Sequence, residues 1–390
     1  MKKDIYSKKG IKRLIGASVS TTILFTNLSV LPVSASINNM LEGAEPEVSL
    51  NYESFDTNLE WDSSFKPSGD GEWKLTPEGL RSKSSGDSFM FSNINAKDFV
   101  YTANVKFNEA KGAASLVIRS NKSSDNKNSY VVNINGENGE ARIFKFENNN
   151  AVDVAASKKL EVKSEYNLKV VAIDKHLVFY IDDKLIASTG DYTMQSTDLG
   201  QNDAILEGFL GLLTWNSDVT YQDVYYTEIN ESNTPELQGI EANPVNGKIE
   251  SKIDVKKNQY VYINYVSNDC ESIVLNPVAK NQNVMTEILD SSGKSVEGNL
   301  PLKVGRNIYS IVSKNKDGAS VIYNLVIHRR KSEYYNEQYR GQYHYSVKEG
   351  WGNDPNGMVY FNNKYHLFYN SMITVPIGVL CTGDMLPAKI

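Results

Sequence analysis

Apolar and polar residues alternate in short runs along most of this chain, and Gly, Asn and Asp separate the runs at roughly ten-residue spacing. Period-two alternation bounded by turn residues predicts strands with one buried face. Residues 99–107 (Phe-Val-Tyr-Thr-Ala-Asn-Val-Lys-Phe) show it clearly. Residues 115–119, 130–134, 141–146, 168–173 and 177–181 continue the series. Asp182-Asp183, set between 177–181 and 185–187, reads as a hairpin turn. From about residue 50 to 229 the spacing predicts an antiparallel β-sandwich. Residues 230–236 (Asn-Glu-Ser-Asn-Thr-Pro-Glu) read as a linker. Strands at 260–265, 272–275, 307–312 and 320–328 then predict a smaller, immunoglobulin-like sandwich over 237–330. The expected class is all-β, and no internal repeat links the two β regions.

Composition narrows the function. The chain has 390 residues, 23 of them Tyr and only 4 His, with a net charge of −6. An acidic chain is a poor match for nucleic acid or an anionic membrane surface, both of which select basic patches. Lys2, Lys3, Lys8, Lys9, Lys12 and Arg13 precede a weakly apolar stretch, residues 17–31, and Val33-Ser34-Ala35 resembles a cleavage site. Residues 1–35 are therefore expected to be a secretory signal, followed by a polar linker over 36–49. After cleavage the expected product is secreted and extracellular, with no membrane association. Cys270 and Cys381 lie far apart and suggest no disulfide framework. Metal is not expected: no Cys/His spacing supports a site, and Asp254, Asp269 and Asp290 are too scattered to assert calcium. His176 and His328 fall in strand patterns and read as structural.

One stretch is dense enough to name chemistry. It runs Gln342-Tyr343-His344-Tyr345, then Trp351-Gly352-Asn353-Asp354-Pro355-Asn356-Gly357, then Lys364-Tyr365-His366-Leu367-Phe368-Tyr369. Asn353 to Gly357 reads as a tight turn, because Pro355 fixes φ and Asn356 and Gly357 tolerate positive φ. A hairpin is expected after it, turning at Asn362-Asn363. A carboxylate such as Asp354, held by neighbouring N–H groups, stays ionised and can attack as a nucleophile. An indole such as Trp351 offers a face to a sugar ring. By itself, Asp-Pro-Asn-Gly would be only a turn; the ordered flanking aromatics argue otherwise.

Residues 339–369 closely resemble the opening of glycoside hydrolase family 32, which holds levanases, inulinases and invertases. The signature Trp-x-Asn-Asp-Pro-Asn-Gly is present, with Gly352 at its variable position. The resemblance implies a five-bladed β-propeller and retaining hydrolysis of β-fructofuranosides without a cofactor. It implies Asp354 as nucleophile, Asn353 and Trp351 in the fructose pocket, and levan, inulin or sucrose as substrate. Retention needs two carboxyl groups about 5–5.5 Å apart. The family's Arg-Asp-Pro and Glu-Cys motifs, which supply its other two acids, do not occur among the 390 residues. Asn370 stands where the family has Gln, and there the resemblance stops. Residues 371–390 are expected to be an aberrant tail. Read one frame over, with free choice of third bases, residues 378–390 can yield the family's Trp-Gly-His-Ala stretch. The expectation is a frameshift near Asn370 and a catalytically inactive fragment with only the first propeller strands. The alternative is a secreted fructan-binding protein without catalysis.

The first β region resembles the concanavalin-like modules of fructan hydrolases, notably carbohydrate-binding module family 66. The matching stretches are residues 112–119, 129–134, 166–171 and 208–212, followed by Trp215. In it Arg119 could fork two hydrogen bonds to vicinal hydroxyls, and Tyr130 and Trp215 could stack on sugar; the competing reading is a surface Arg and two core aromatics. The second β region resembles a cadherin-like sandwich of spacer type, through residues 302–307, Asp317-Gly318 and 323–327.

Overall fold

The computed structural model describes residues 55–61, 71–123, 127–155, 157–189, 204–336, 338–339, 346–347, 351–362 and 364–372. Among them there are strands and no helix. Fourteen strands build the first sandwich. The first five are β1 (Glu72–Thr76), β2 (Gly79–Lys83), β3 (Asp87–Ala96), β4 (Phe99–Phe107) and β5 (Ala113–Ser120). Then come β6 (Ser129–Asn135), β7 (Glu140–Glu147), β8 (Asn150–Asp153), β9 (Lys158–Lys159) and β10 (Glu165–Ile173). The last four are β11 (His176–Ile181), β12 (Lys184–Ser188), β13 (Gly208–Trp215) and β14 (Asp218–Glu228). One sheet has the order β1-β2-β14-β4-β10-β11-β12, the other β3-β13-β5-β6-β7-β8, with β9 beside β7.

Alternation dictates which face is buried. In β4, Tyr101, Ala103, Val105 and Phe107 point into the core, while Thr102, Asn104 and Lys106 are half-buried on the other face. In β5, Ala114, Leu116 and Ile118 meet them from the opposite sheet. Burying Val105, Phe107, Leu116 or Ile118 stabilises by about 1.5–3 kcal/mol each before the entropy cost. The Asp182-Asp183 turn forms as expected, with φ of 51° and 59°.

A second pair of sheets follows. Its strands are β15 (Leu237–Pro244), β16 (Val261–Val266), β17 (Ser272–Ala279), β18 (Val284–Asp290), β19 (Leu300–Pro301), β20 (Gly305–Asn315) and β21 (Ser320–Arg329). They form β15-β17-β19 and β16-β21-β20-β18, the β16–β21 pair being parallel. Ile273, Ile311, Val321 and Leu325 fill the space between them.

The two sandwiches share apolar surface. Val100, Val171, Ile173, Val178 and Tyr180, on the outer face of the first, join the same cluster as Tyr260, Ile322 and Tyr323 of the second. Tyr180 Oη lies 2.7 Å from Ser320 Oγ. Buried His176 accepts the Ile322 amide at Nε2, 3.2 Å away, and faces Thr189 O at 2.7 Å through Nδ1. Residues 230–236, expected to be a linker, run between β14 and β15 and are fastened down. Asn281 Nδ2 donates to Glu231 O and Thr234 O, and Asn315 Nδ2 to Asn233 O. Amide side chains of the second sandwich thus satisfy carbonyls of this polar segment.

A two-stranded hairpin ends the described chain: β22 (Trp351–Phe361) and β23 (Lys364–Met372). Asn362 turns it, with φ of 52°. The tight turn expected over Asn353 to Gly357 is absent. Those residues lie within β22, where the register with β23 shifts between Gly352 and Pro355 and again between Pro355 and Gly357. Proline lacks a ladder donor and is accommodated in strands at bulges.

Candidate functional site

Candidate residues fall in two places. The first is the hairpin. Gly352 pairs with Ser371 and Pro355 with Tyr369, so Asn353 and Asp354 stand opposite Asn370 alone. Two residues facing one is a β-bulge, a device that bends a strand and is frequent beside active sites. The backbone of Trp351, Asn353 and Asp354 is thus on a bulged strand; their side chains lie outside the described residues. Farther along β22, Met358, Val359, Tyr360 and Phe361 are all exposed, as is Tyr365 of β23. Tyr360 and Tyr365 pair across the strands with ring centroids 4.9 Å apart.

The second place is the outer face of the β3-β13-β5-β6-β7-β8 sheet. Trp215 ends β13 and is 47% exposed. The β13–β14 turn holds it there: Asn216 has a φ of 46°, and Gly112 backs directly onto the carbonyls of Trp215 and Asn216. With a φ of 65° and no room for a Cβ, Gly112 is a position only glycine fits without strain. Register places Trp215 beside Asp87 and Ala113, and sets Leu213, Ser115, Asn133 and Arg142 in the next row. Together with Phe144 and Phe146 they line a groove of ≈ 250 Å³.

The groove has an apolar floor and a polar rim. Phe144 and Phe146 meet edge to face at 5.2 Å. The Arg142 guanidinium lies 4.8 Å over the Phe144 ring and bonds Asp153 at 3.1 Å. Lys127 Nζ bonds Asp87 at 2.7 Å and sits over Phe146. Asn133 Oδ1 is buried and has no hydrogen-bond partner among the described residues. With Phe144 and Phe146 covered by Arg142 and Lys127, the exposed Trp215 indole is the ring face that can stack on a sugar, while hydroxyls bond the rim.

The other two sandwich candidates are elsewhere, and both expectations are corrected. Arg119 is 1% exposed. Its Nε and Nη2 donate to Lys97 O, and its Nη1 donates to Asp174 O at 2.6 Å and Ile205 O at 3.0 Å. Asp98 lies 3.5 Å away. Burial pulls the guanidinium down to about 10, and Asp98 opposes that fall. It ties loops together, and its donors are committed to main-chain carbonyls. Tyr130 is 4% exposed and packs inside the sandwich. Of the three, only Trp215 opens on a groove. Asn133, Arg142, Phe144 and Phe146 were missed from sequence, although Arg142-x-Phe144-x-Phe146 is a period-two stripe that marks one strand face.

Residues 344–376 match the glycosyl hydrolases family 32 N-terminal domain. A fructan beta-fructosidase from Streptococcus mutans is 36% identical over 340 residues, covering 84% of this chain and 23% of that protein. A levanase from Bacillus subtilis is 32% identical over 157 residues, covering 40% of this chain and 21% of that protein. The chain therefore spans under a quarter of the length of either relative. Among solved structures, the carbohydrate binding module CBM66 from Bacillus subtilis aligns with 45% of this chain and 99% of that chain, at 28% identity and a TM-score of 0.38. The segment 344–376 thus carries the N-terminal domain signature of glycosyl hydrolase family 32, and most of the chain is similar to a fructan beta-fructosidase.

Proposed function

We propose that the chain is the sugar-binding front of a secreted, retaining β-fructofuranosidase that acts on levan or a related fructan. The single observation that carries this is the Trp-Gly-Asn-Asp-Pro-Asn-Gly motif within the family 32 match. Asp354 attacks the fructosyl carbon, and Trp351 and Asn353 hold the fructose ring. Retention requires a second carboxyl group to protonate the leaving oxygen and then activate water. The hairpin is the opening of a five-bladed propeller, and the sandwich of residues 237–330 is a cadherin-like spacer. The sandwich before it holds substrate near the catalytic strands. No cofactor takes part.

A polypeptide of these 390 residues alone is expected to release no fructose from levan or sucrose, since a nucleophile without its acid/base partner loses most of the rate gain. In a version extended through a complete family 32 domain, Asp354→Asn should lower fructose release by at least a thousandfold while levan binding persists. Turnover unchanged by that substitution would refute the assignment. The Trp215 groove favours a second reading, in which the chain itself serves as a fructan-binding protein; levan affinity without fructose release supports it.

A further inference from the structure

Where the two sandwiches meet they leave a cleft of ≈ 480 Å³, a size suited to a small ligand. Tyr260 forms part of its wall, with its ring stacked on His176 at 4.2 Å. The residue is 5% exposed, yet its hydroxyl has no hydrogen-bond partner among the described residues. A buried unpaired hydroxyl carries a free-energy cost that an accepting ligand oxygen would remove. Burial keeps that hydroxyl protonated, with help from Tyr323 and from the carboxylates Glu236, Asp174 and Asp98. The Tyr260 hydroxyl is therefore a ready donor.

Each of those carboxylates has a cation beside it: Arg119 lies 3.5 Å from Asp98, Lys257 3.1 Å from Asp174, and Lys280 is shared between Glu236 at 3.6 Å and Glu231 at 2.5 Å. Lys97 and Lys256 complete a lining of four acids and four lysines. A lining balanced in this way has no net pull on a phosphate or a metal ion. It offers alternating donors and acceptors to an uncharged ligand rich in hydroxyls. The cleft lies at the Arg119 end of β5, and the Trp215 groove at its Ala113 end.

We propose that this cleft is a second carbohydrate site, taking a neutral sugar unit of the same polymer that the Trp215 groove binds. It rests on the fructan reading above. Two sites on one chain raise the avidity for a repeating polymer beyond that of either alone.

The test is calorimetric titration of the full chain with a short β-2,6-linked fructo-oligosaccharide, repeated on Trp215→Ala and Tyr260→Phe. Two sites per chain are expected, with Tyr260→Phe weakening one of them at least fivefold. With only four histidines in the sequence, the His176 imidazole signal can be followed by NMR, and it should move on adding sugar to Trp215→Ala. A single site that vanishes in Trp215→Ala, with His176 unmoved, overturns the cleft and leaves the groove standing. Binding that survives Trp215→Ala but vanishes in Tyr260→Phe overturns the groove and leaves the cleft. No binding by the unaltered chain overturns both.

Discussion

Nδ1 of His176 faces the Thr189 carbonyl and must carry the proton, which leaves Nε2 to accept the Ile322 amide. The neutral ring is required, and burial lowers the imidazole from 6.5 to about 4, against the raising effect of Thr189. A folded-state value below the unfolded one makes the contribution complete above about 6.5, and it declines as pH falls towards 4. In that window unfolding takes up a proton, so stability should fall by up to about 1.4 kcal/mol per pH unit. Urea melts between pH 4.5 and 7.5 should show this limb in the native chain and a flatter one in His176→Phe. The variant should also lose about 1–3 kcal/mol at pH 7, because Ile322 N–H and Thr189 O lose their partner. Equal slopes in the two proteins would contradict this role. Sequence marked His176 as structural from its strand pattern, but not that it joins two sandwiches. Arg119 and Tyr130 misled because residue type says what a side chain can bond, and only packing says what it faces.

At the scale of elements, strands were the legible part. Residues 99–107 fall inside β4, which buries one face and so alternates, while 115–119 and 320–328 fall inside β5 and β21, which are buried on both faces and read as nearly continuous apolar runs. The short β19 and the half-exposed β18 carry little such pattern and were not foreseen. The Asp-Pro-Asn-Gly stretch was read as a turn because its residues favour turns, yet it lies in a bulged strand. Local preference specifies an interruption of regular pairing, and the cross-strand partner decides whether that is a turn or a bulge. The hairpin has one partner strand on each side of its turn and exposes a row of large side chains. Two strands alone are marginally stable in water. Hydrogen exchange should therefore find β22 and β23 amides exchanging at least a hundredfold faster than those of β4, β5 and β21. Strands of both sandwiches should share one slow rate class, since their cores join through Val171, Tyr180 and Ile322. Early, separate exchange of β20 and β21 would show that the sandwiches open independently.

Taken whole, the described residues form a sandwich bearing the Trp215 groove, packed through shared apolar surface against a second sandwich that precedes the hairpin strand of Asp354 in the sequence. The likeness of residues 344–376 to family 32 was legible because its signature is local and dense. The groove was not, because Asp87, Asn133, Arg142 and Trp215 come from four strands and meet only through register. Levan affinity of the full chain, measured with and without Trp215→Ala, probes the groove directly. Loss of the indole face should weaken binding at least tenfold, about 1.4 kcal/mol, with the thermal unfolding midpoint unchanged because Trp215 is half exposed. Undiminished affinity in a folded Trp215→Ala chain, or no affinity in the native one, would contradict it.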